Sequence, residues 1–189
     1  NLTLSAFGRR GARVVIARPT FPTYSKMGLI HGSDLVEVPL GEPGFRLDVD
    51  GMLEAVRGAD RAILFLVNPN NPTGNLFPRE HLVRLIAVPN VLVAVDEAYY
   101  EFSGHTVADL IPKQSNLLVF RTFSKAYGLA GLRIGYAVGH PDLIYELNRV
   151  RGPFNVNVFS QMAARVVVRH GGAFGEHINS IIRERDRMA

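Results

Sequence analysis

The residues with most chemistry to offer fall in one stretch, Arg121–Tyr136, which reads RTFSKAYGLAGLRIGY. It holds Thr122, Ser124, Lys125 and Arg133. Hydroxyls and a guanidinium are good partners for a phosphate. An amine beside them can form a Schiff base with a carbonyl. A lone lysine is nearly always a surface lysine; Lys125 is set apart by its company. Gly128, Gly131 and Gly135 let the backbone pass closely through the same stretch. A second cluster, VDEAYYEF at Val95–Phe102, puts Asp96 at the end of an apolar run. A carboxylate so placed is partly buried, which is costly unless it meets a cation or strong donors. A protonated ring nitrogen is one such cation, and Tyr99 can reach the same ligand. The third cluster, NPNNPTG at Asn68–Gly74, forces a turn and presents asparagines suited to hydrogen-bonding a ring oxygen. Each cluster also has a plain structural reading: a strand-ending loop for Asn68–Gly74, a turn cap for Asp96.

Short apolar runs alternate with helical patterns along the chain, and these elements must position the clusters. Strands are predicted at Val14–Ala17, Leu35–Pro39, Ala62–Val67, Val91–Asp96, Leu117–Thr122 and Arg133–Val138. Several are apolar on both faces, as strands of a covered parallel sheet are. Helices are predicted at Thr23–His31, Asp48–Arg57, Pro78–Ala87 and Asp142–Val150, with further ones at Gln161–Arg169 and Ala173–Met188. Pro78 suits a helix start and Asp48 an N-cap. The alternation implies an α/β fold, a mostly parallel sheet flanked by helices. In such a sheet ligands bind at the carboxyl ends of the strands, and each polar cluster directly follows a strand. Together the clusters supply a Schiff-base lysine, a carboxylate for a ring nitrogen and phosphate donors, the binding pattern of pyridoxal 5'-phosphate (PLP).

The bulk properties exclude other classes. With 189 residues, 47% hydrophobic and 20% charged, the chain suits a globular domain with a real core. No apolar run approaches the ~20 residues of a membrane helix. The formal charge of +4 is scattered, and the densest basic run, Arg183–Arg187, alternates with Glu184 and Asp186 as a solvated helix face does, so a nucleic-acid partner is not expected. A modest positive balance also suits a pocket for phosphorylated ligands. The absence of cysteine excludes disulfides and thiolate metal sites and fits a cytoplasmic setting. The histidines at 31, 81, 105, 140, 170 and 177 form no metal-ligand spacing. Glu97 and Glu101, beside Asp96, read as packing or salt-bridge residues. No GxGxxG follows the first strand, which argues against a nicotinamide site.

The three motifs, in this order and spacing, resemble the class I/II, fold-type I, PLP-dependent aminotransferases over nearly the whole chain. Among these the histidinol-phosphate aminotransferase branch is most similar, and RGPFNVN at Arg151–Asn157 adds to that finer assignment. The resemblance implies that Lys125 forms the Schiff base with the cofactor and shuttles the proton between the substrate α-carbon and C4′. It implies that Asp96 pairs with the pyridine nitrogen, that Asn71 and Tyr99 hydrogen-bond the ring oxygen O3′, and that Thr122, Ser124 and Arg133 hold the phosphate. Phe21, in RPTFPTY, falls where the family stacks an aromatic residue, often tyrosine, on the ring.

The same resemblance implies a partial PLP-binding large domain over residues 1–172 and, over 173–189, the start of a linker helix toward a small domain. Asn1–Phe7 reads as a helix without a start signal, and Glu176–Ala189 as an amphipathic helix with Ile178, Ile181 and Ile182 on one face, so a segment of a larger protein is expected. The family's phosphate turn and a partner-donated tyrosine are expected upstream, and its carboxylate-gripping arginine downstream. The implied reaction exchanges an amino group between L-histidinol phosphate and 2-oxoglutarate in histidine biosynthesis, by a ping-pong route, in a homodimer with shared sites. An aromatic amino-acid aminotransferase and an amino-acid-phosphate decarboxylase share these motifs. A non-catalytic PLP-fold binding protein is the reading from another class; the presence of Lys125, Asp96 and Arg133 together speaks against it.

Overall fold

The run AILFLV becomes strand β3 (Ala62–Val67), with all of its side chains buried. Such a strand must be covered on both faces, and the fold is built around it. In the computed structural model, which describes residues 1–8 and 11–188, β3 pairs in parallel with β1 (Arg13–Arg18) and β4 (Val91–Asp96). Next to β1 runs β2 (Asp34–Pro39), and next to β4 runs β5 (Leu117–Thr122), both parallel. The sixth strand, β6 (Gly135–Gly139), closes the edge antiparallel to β5, giving the order β2-β1-β3-β4-β5-β6.

Alternation along the strands divides the core in two. Leu64, Leu66, Val93, Val95, Leu117 and Val119 point to one face, under α3 (Val49–Val56) and α4 (Arg79–Ile86). Ile63, Phe65, Ala94 and Leu118 point to the other, where α1 (Leu2–Phe7), α2 (Thr23–Ile30) and α6 (Pro141–Val150) pack. Local chemistry sets the helix starts. The Asp48 carboxylate accepts the Gly51 N–H at 2.9 Å and caps α3. Leu82, Leu85 and Ile86 of α4 recur at the helical period and are the residues it buries.

The remaining helices are α5 (Tyr100–Ser103), α7 (Val158–His170) and α8 (Gly175–Met188). Helix α7 begins ahead of the predicted Gln161 because Asn157 caps it, accepting the Ser160 N–H at 2.9 Å. The predicted helix over Ala173–Met188 is a 3-10 turn, Gly171–Phe174, followed by α8; Ala189 lies outside the described residues. Helix α5 and the 3-10 segment Ala108–Lys113 were not predicted, being too short to show a period. No described helix is long and apolar enough to cross a membrane.

The last strand departs most from its predicted bounds, beginning at Gly135 rather than Arg133. Arg133 has φ 50° and ψ 46°, a left-handed conformation that closes the 3-10 turn Ala130–Leu132 and cannot belong to a strand. Gly135 then starts β6 pressed against β5: a Cβ there would lie 2.6 Å from the Arg121 carbonyl oxygen.

Candidate active site

The chain leaves β1 for β2 on one side and β3 for β4 on the other, so the loops after these adjacent strands diverge and open a crevice at their carboxyl ends. The ends of β3, β4 and β5 and the segments that follow them carry Asn71, Asp96, Tyr99, Thr122, Ser124 and Lys125. Asp96 is the last residue of β4, paired in register with Val67 of β3 and Phe120 of β5. Its carboxylate is partly buried: Oδ1 accepts the Ala98 N–H at 3.0 Å and Oδ2 the Tyr24 hydroxyl at 2.5 Å. Burial pushes its pKa up; the hydrogen bonds from Tyr24 and Ala98 pull it down, the Glu97 charge raises it and the Lys125 charge lowers it.

Lys125 is thus close enough to Asp96 for its charge to be felt, and its Nζ lies 5.4 Å from the centre of the Tyr99 ring. Its side chain is exposed while the next residue, Ala126, is fully buried, so the loop is anchored directly beside the lysine. Tyr99 and Asn71 line one cavity of about 660 Å³. Its far wall is α8, through Ile181, Ile182 and Arg185.

The three asparagines of NPNNPTG separate by task. Asn68 accepts the Phe77 N–H at 2.8 Å and closes the loop on itself. Asn70, buried, accepts the Thr20 hydroxyl at 2.9 Å and donates to the Pro19 carbonyl at 3.0 Å and to Thr73 Oγ1 at 2.6 Å. It ties the loop bearing Phe21 to the loop bearing Asn71. Phe21 itself is exposed at the cleft edge and meets Tyr24 edge-on, ring centres 6.2 Å apart.

Thr122 ends β5 and Ser124 follows it just before Lys125, the Ser124 N–H donating to Thr122 Oγ1 at 3.1 Å. Arg133 stands apart from them. Its guanidinium is exposed and donates to the Ala130 carbonyl at 3.0 Å, across the turn that it ends, and no hydrogen bond among the described residues joins it to Thr122 or Ser124.

Tyr24 and Arg121 carry more of the site than their sequence context suggested. Tyr24 has a faint signal, an aromatic residue spaced three positions after Phe21 where a helix begins. Arg121 forks onto Glu97, which is 1% exposed, and sits over Tyr100, its guanidinium carbon 3.4 Å from the ring centre. The salt-bridge reading of Glu97 holds; Glu101 Oε2 is buried and has no hydrogen-bond partner among the described residues.

A buried carboxylate, a lysine amine within its field, an aromatic platform and a pair of hydroxyls form a donor set suited to an aromatic ring that bears a cationic nitrogen, a carbonyl and a phosphate. The residues present fit PLP. The family model described as Aminotransferase class I and II matches residues 1–189. The chain belongs to the class I and II aminotransferases. Within this family it is 45% identical to a histidinol-phosphate aminotransferase of Desulfitobacterium hafniense, over all of this chain and 53% of that one. The histidinol-phosphate aminotransferase of Sinorhizobium meliloti, solved in complex with pyridoxal-5'-phosphate, superposes with TM-score 0.89 at 31% identity, covering 99% of this chain and 52% of that one. The L-threonine-O-3-phosphate decarboxylase of Porphyromonas gingivalis shares the fold at TM-score 0.78 and 29% identity, over 95% of this chain and 53% of that one. The aminotransferase chain described here thus spans about half the length of the curated relatives it matches.

Proposed function

We propose that this chain is the PLP-binding part of an enzyme that transfers an amino group between L-histidinol phosphate and 2-oxoglutarate. The observation that carries the reading is the placement of Asp96: a partly buried carboxylate at a strand end, within the electrostatic reach of Lys125. The similarity to histidinol-phosphate aminotransferases, at 45% identity over the whole chain for one of them, favours that amino donor.

Bound PLP supplies an electron sink for negative charge developing at the substrate α-carbon. The chain's own residues do the rest. The Lys125 amine would hold the cofactor carbonyl, and it is the group proposed to carry the proton of the substrate α-carbon. Asp96 keeps a proton on the ring nitrogen. Asn71 and Tyr99 donate to the ring oxygen, and Phe21 covers the ring face. Thr122, Ser124 and Arg133 hold the phosphate, which requires the Arg133 guanidinium to turn from the Ala130 carbonyl. Residues 1–172 belong to the PLP-binding domain in this reading, and 173–189 begin the helix toward a small domain.

A cytoplasmic homodimer is part of the same proposal. Helix α7 supports it: Val158, Phe159, Met162 and Val166 form an exposed apolar stripe, with Phe159 75% exposed and Phe154, just ahead of the helix, 95% exposed. An amino-donor panel on the full-length protein tests the substrate, with histidinol phosphate, phenylalanine and threonine phosphate as donors and 2-oxoglutarate as acceptor. Histidinol phosphate is expected to give the highest kcat/KM. A preference for phenylalanine, or carbon dioxide release from threonine phosphate, would transfer the assignment to those readings.

A further inference from the structure

We propose that Tyr24 is a positioning residue for Asp96: its hydroxyl fixes the carboxylate at the end of β4 and holds it in the charged form that a cationic ring nitrogen needs. The inference rests on the function proposed above and extends it to a residue outside the three motifs.

Tyr24 Oη donates to Asp96 Oδ2 at 2.5 Å, bridging α2 to the end of β4. The ring is held on two sides. It stacks on Phe65 of β3, centres 4.7 Å apart and planes 27° apart, and meets Phe21 edge-on. With the ring so held, the hydroxyl is kept within reach of Asp96 Oδ2. Each carboxylate oxygen has two acceptor sites. Tyr24 and the Ala98 N–H occupy one site on each oxygen, leaving room for a further donor at the cleft. The other charged groups acting on Asp96 are Glu97, which follows it in the chain, and Lys125 beyond β5. Burial, then the Asp96 charge and hydrogen bond, push the Tyr24 pKa well above its ordinary value, so the phenol stays protonated and remains a donor.

A tyrosine that merely needs an acceptor would affect stability; a positioning residue must change Asp96. The experiment is Tyr24→Phe in the full-length protein, which keeps the ring and removes the donor. In the cofactor-free protein, the Asp96 carboxyl is followed by carbon-13 NMR and assigned with Asp96→Asn. Its titration is expected to move up by about one pH unit, because a donor to the charged form has been lost. PLP affinity is expected to fall about tenfold, by the same coupling. In the Asp96→Asn background the second substitution should change affinity less than about threefold, because a shared interaction is lost only once. An unmoved Asp96 titration overturns the inference. Should Tyr24→Phe not fold, 3-fluorotyrosine placed at position 24 gives a stronger donor of nearly the same shape; the titration should then move down, and no movement overturns the inference. A wild-type protein that takes up no PLP would overturn the proposed function, while the titration still decides the Tyr24–Asp96 coupling.

Discussion

Arg121 and Glu97 face each other at the ends of β5 and β4, and both Nε and Nη2 of the arginine donate to Glu97 Oε2, at 2.9 and 2.6 Å. Thr106 Oγ1 and the Val107 N–H complete the glutamate's shell, each at 2.8 Å. The backbone neighbours of this pair are Asp96 and Thr122, so the fork holds two strand ends of the proposed cofactor site in register. A buried pair is weak evidence for net stability, but loss of one partner strands the other charge, at about 3–5 kcal/mol. Glu97→Gln is therefore expected to lower stability by about 3 kcal/mol, read by urea unfolding. Glu97→Gln with Arg121→Met should recover most of that loss. A double variant no better than Glu97→Gln alone would show that the fork is not what holds this corner.

Lys125 is expected to carry the cofactor. Borohydride treatment of the PLP-loaded full-length protein, followed by peptide mapping, should find the pyridoxyl group on Lys125. Lys125→Ala should lose the cofactor's visible absorbance band and all turnover. A label on Lys26 or Lys113, the other lysines besides Lys125 that lie among the described residues, would refute the assignment.

Asp96 should trade stability for function. Its folded pKa is raised, chiefly by burial, so the native state binds more protons than the unfolded chain between the two values. Stability then falls as pH rises from about 4 through the folded pKa. An amide at this position can still accept the Ala98 N–H and donate to Tyr24 Oη, without the desolvated charge. Cofactor-free Asp96→Asn is accordingly expected to unfold no lower than wild type at pH 8, with its relative advantage growing as pH rises from about 4. Its transamination should fall at least ~10²-fold, since an amide does not hold a proton on the ring nitrogen. Thermal unfolding across pH together with steady-state rates checks both halves; near-normal activity in the variant defeats the role given to Asp96.

The sheet was legible because β3, β4 and β5 are apolar on both faces and are followed by turn-forming clusters, signals carried by consecutive residues. The edge was less so. The pattern of Arg133–Val138 suggested a strand throughout, and only the left-handed backbone of Arg133 excludes its first residue. The site divides the same way. Asp96, Tyr99 and Lys125 stand in local motifs, so spacing alone could nominate them as candidates. Tyr24 reaches Asp96 across 72 positions of sequence, and the Arg121 fork spans 24. Contacts of that range depend on the order of strands in the sheet, which no local pattern encodes.

Asn70 gives the last expectation, because it distinguishes the two adjacent asparagines of NPNNPTG. Its side chain spans the crevice between the loops after β1 and β3, through Thr20, Pro19 and Thr73. Replacing it with alanine removes three part-buried hydrogen bonds, each worth about 0.5–1.5 kcal/mol net, for an expected loss of about 1–3 kcal/mol. Asn71, which only lines the cavity, should cost less than about 1 kcal/mol on the same substitution, as surface changes usually do. Cofactor affinity should weaken in both, for different reasons: Asn71→Ala removes a proposed donor to the ring, and Asn70→Ala lets the Phe21 and Asn71 loops move apart. Paired measurements of urea unfolding and PLP binding separate the two. If Asn70→Ala unfolds like wild type while losing PLP, then Asn70 rather than Asn71 is the residue that meets the cofactor, and the division of labour within this loop is reversed.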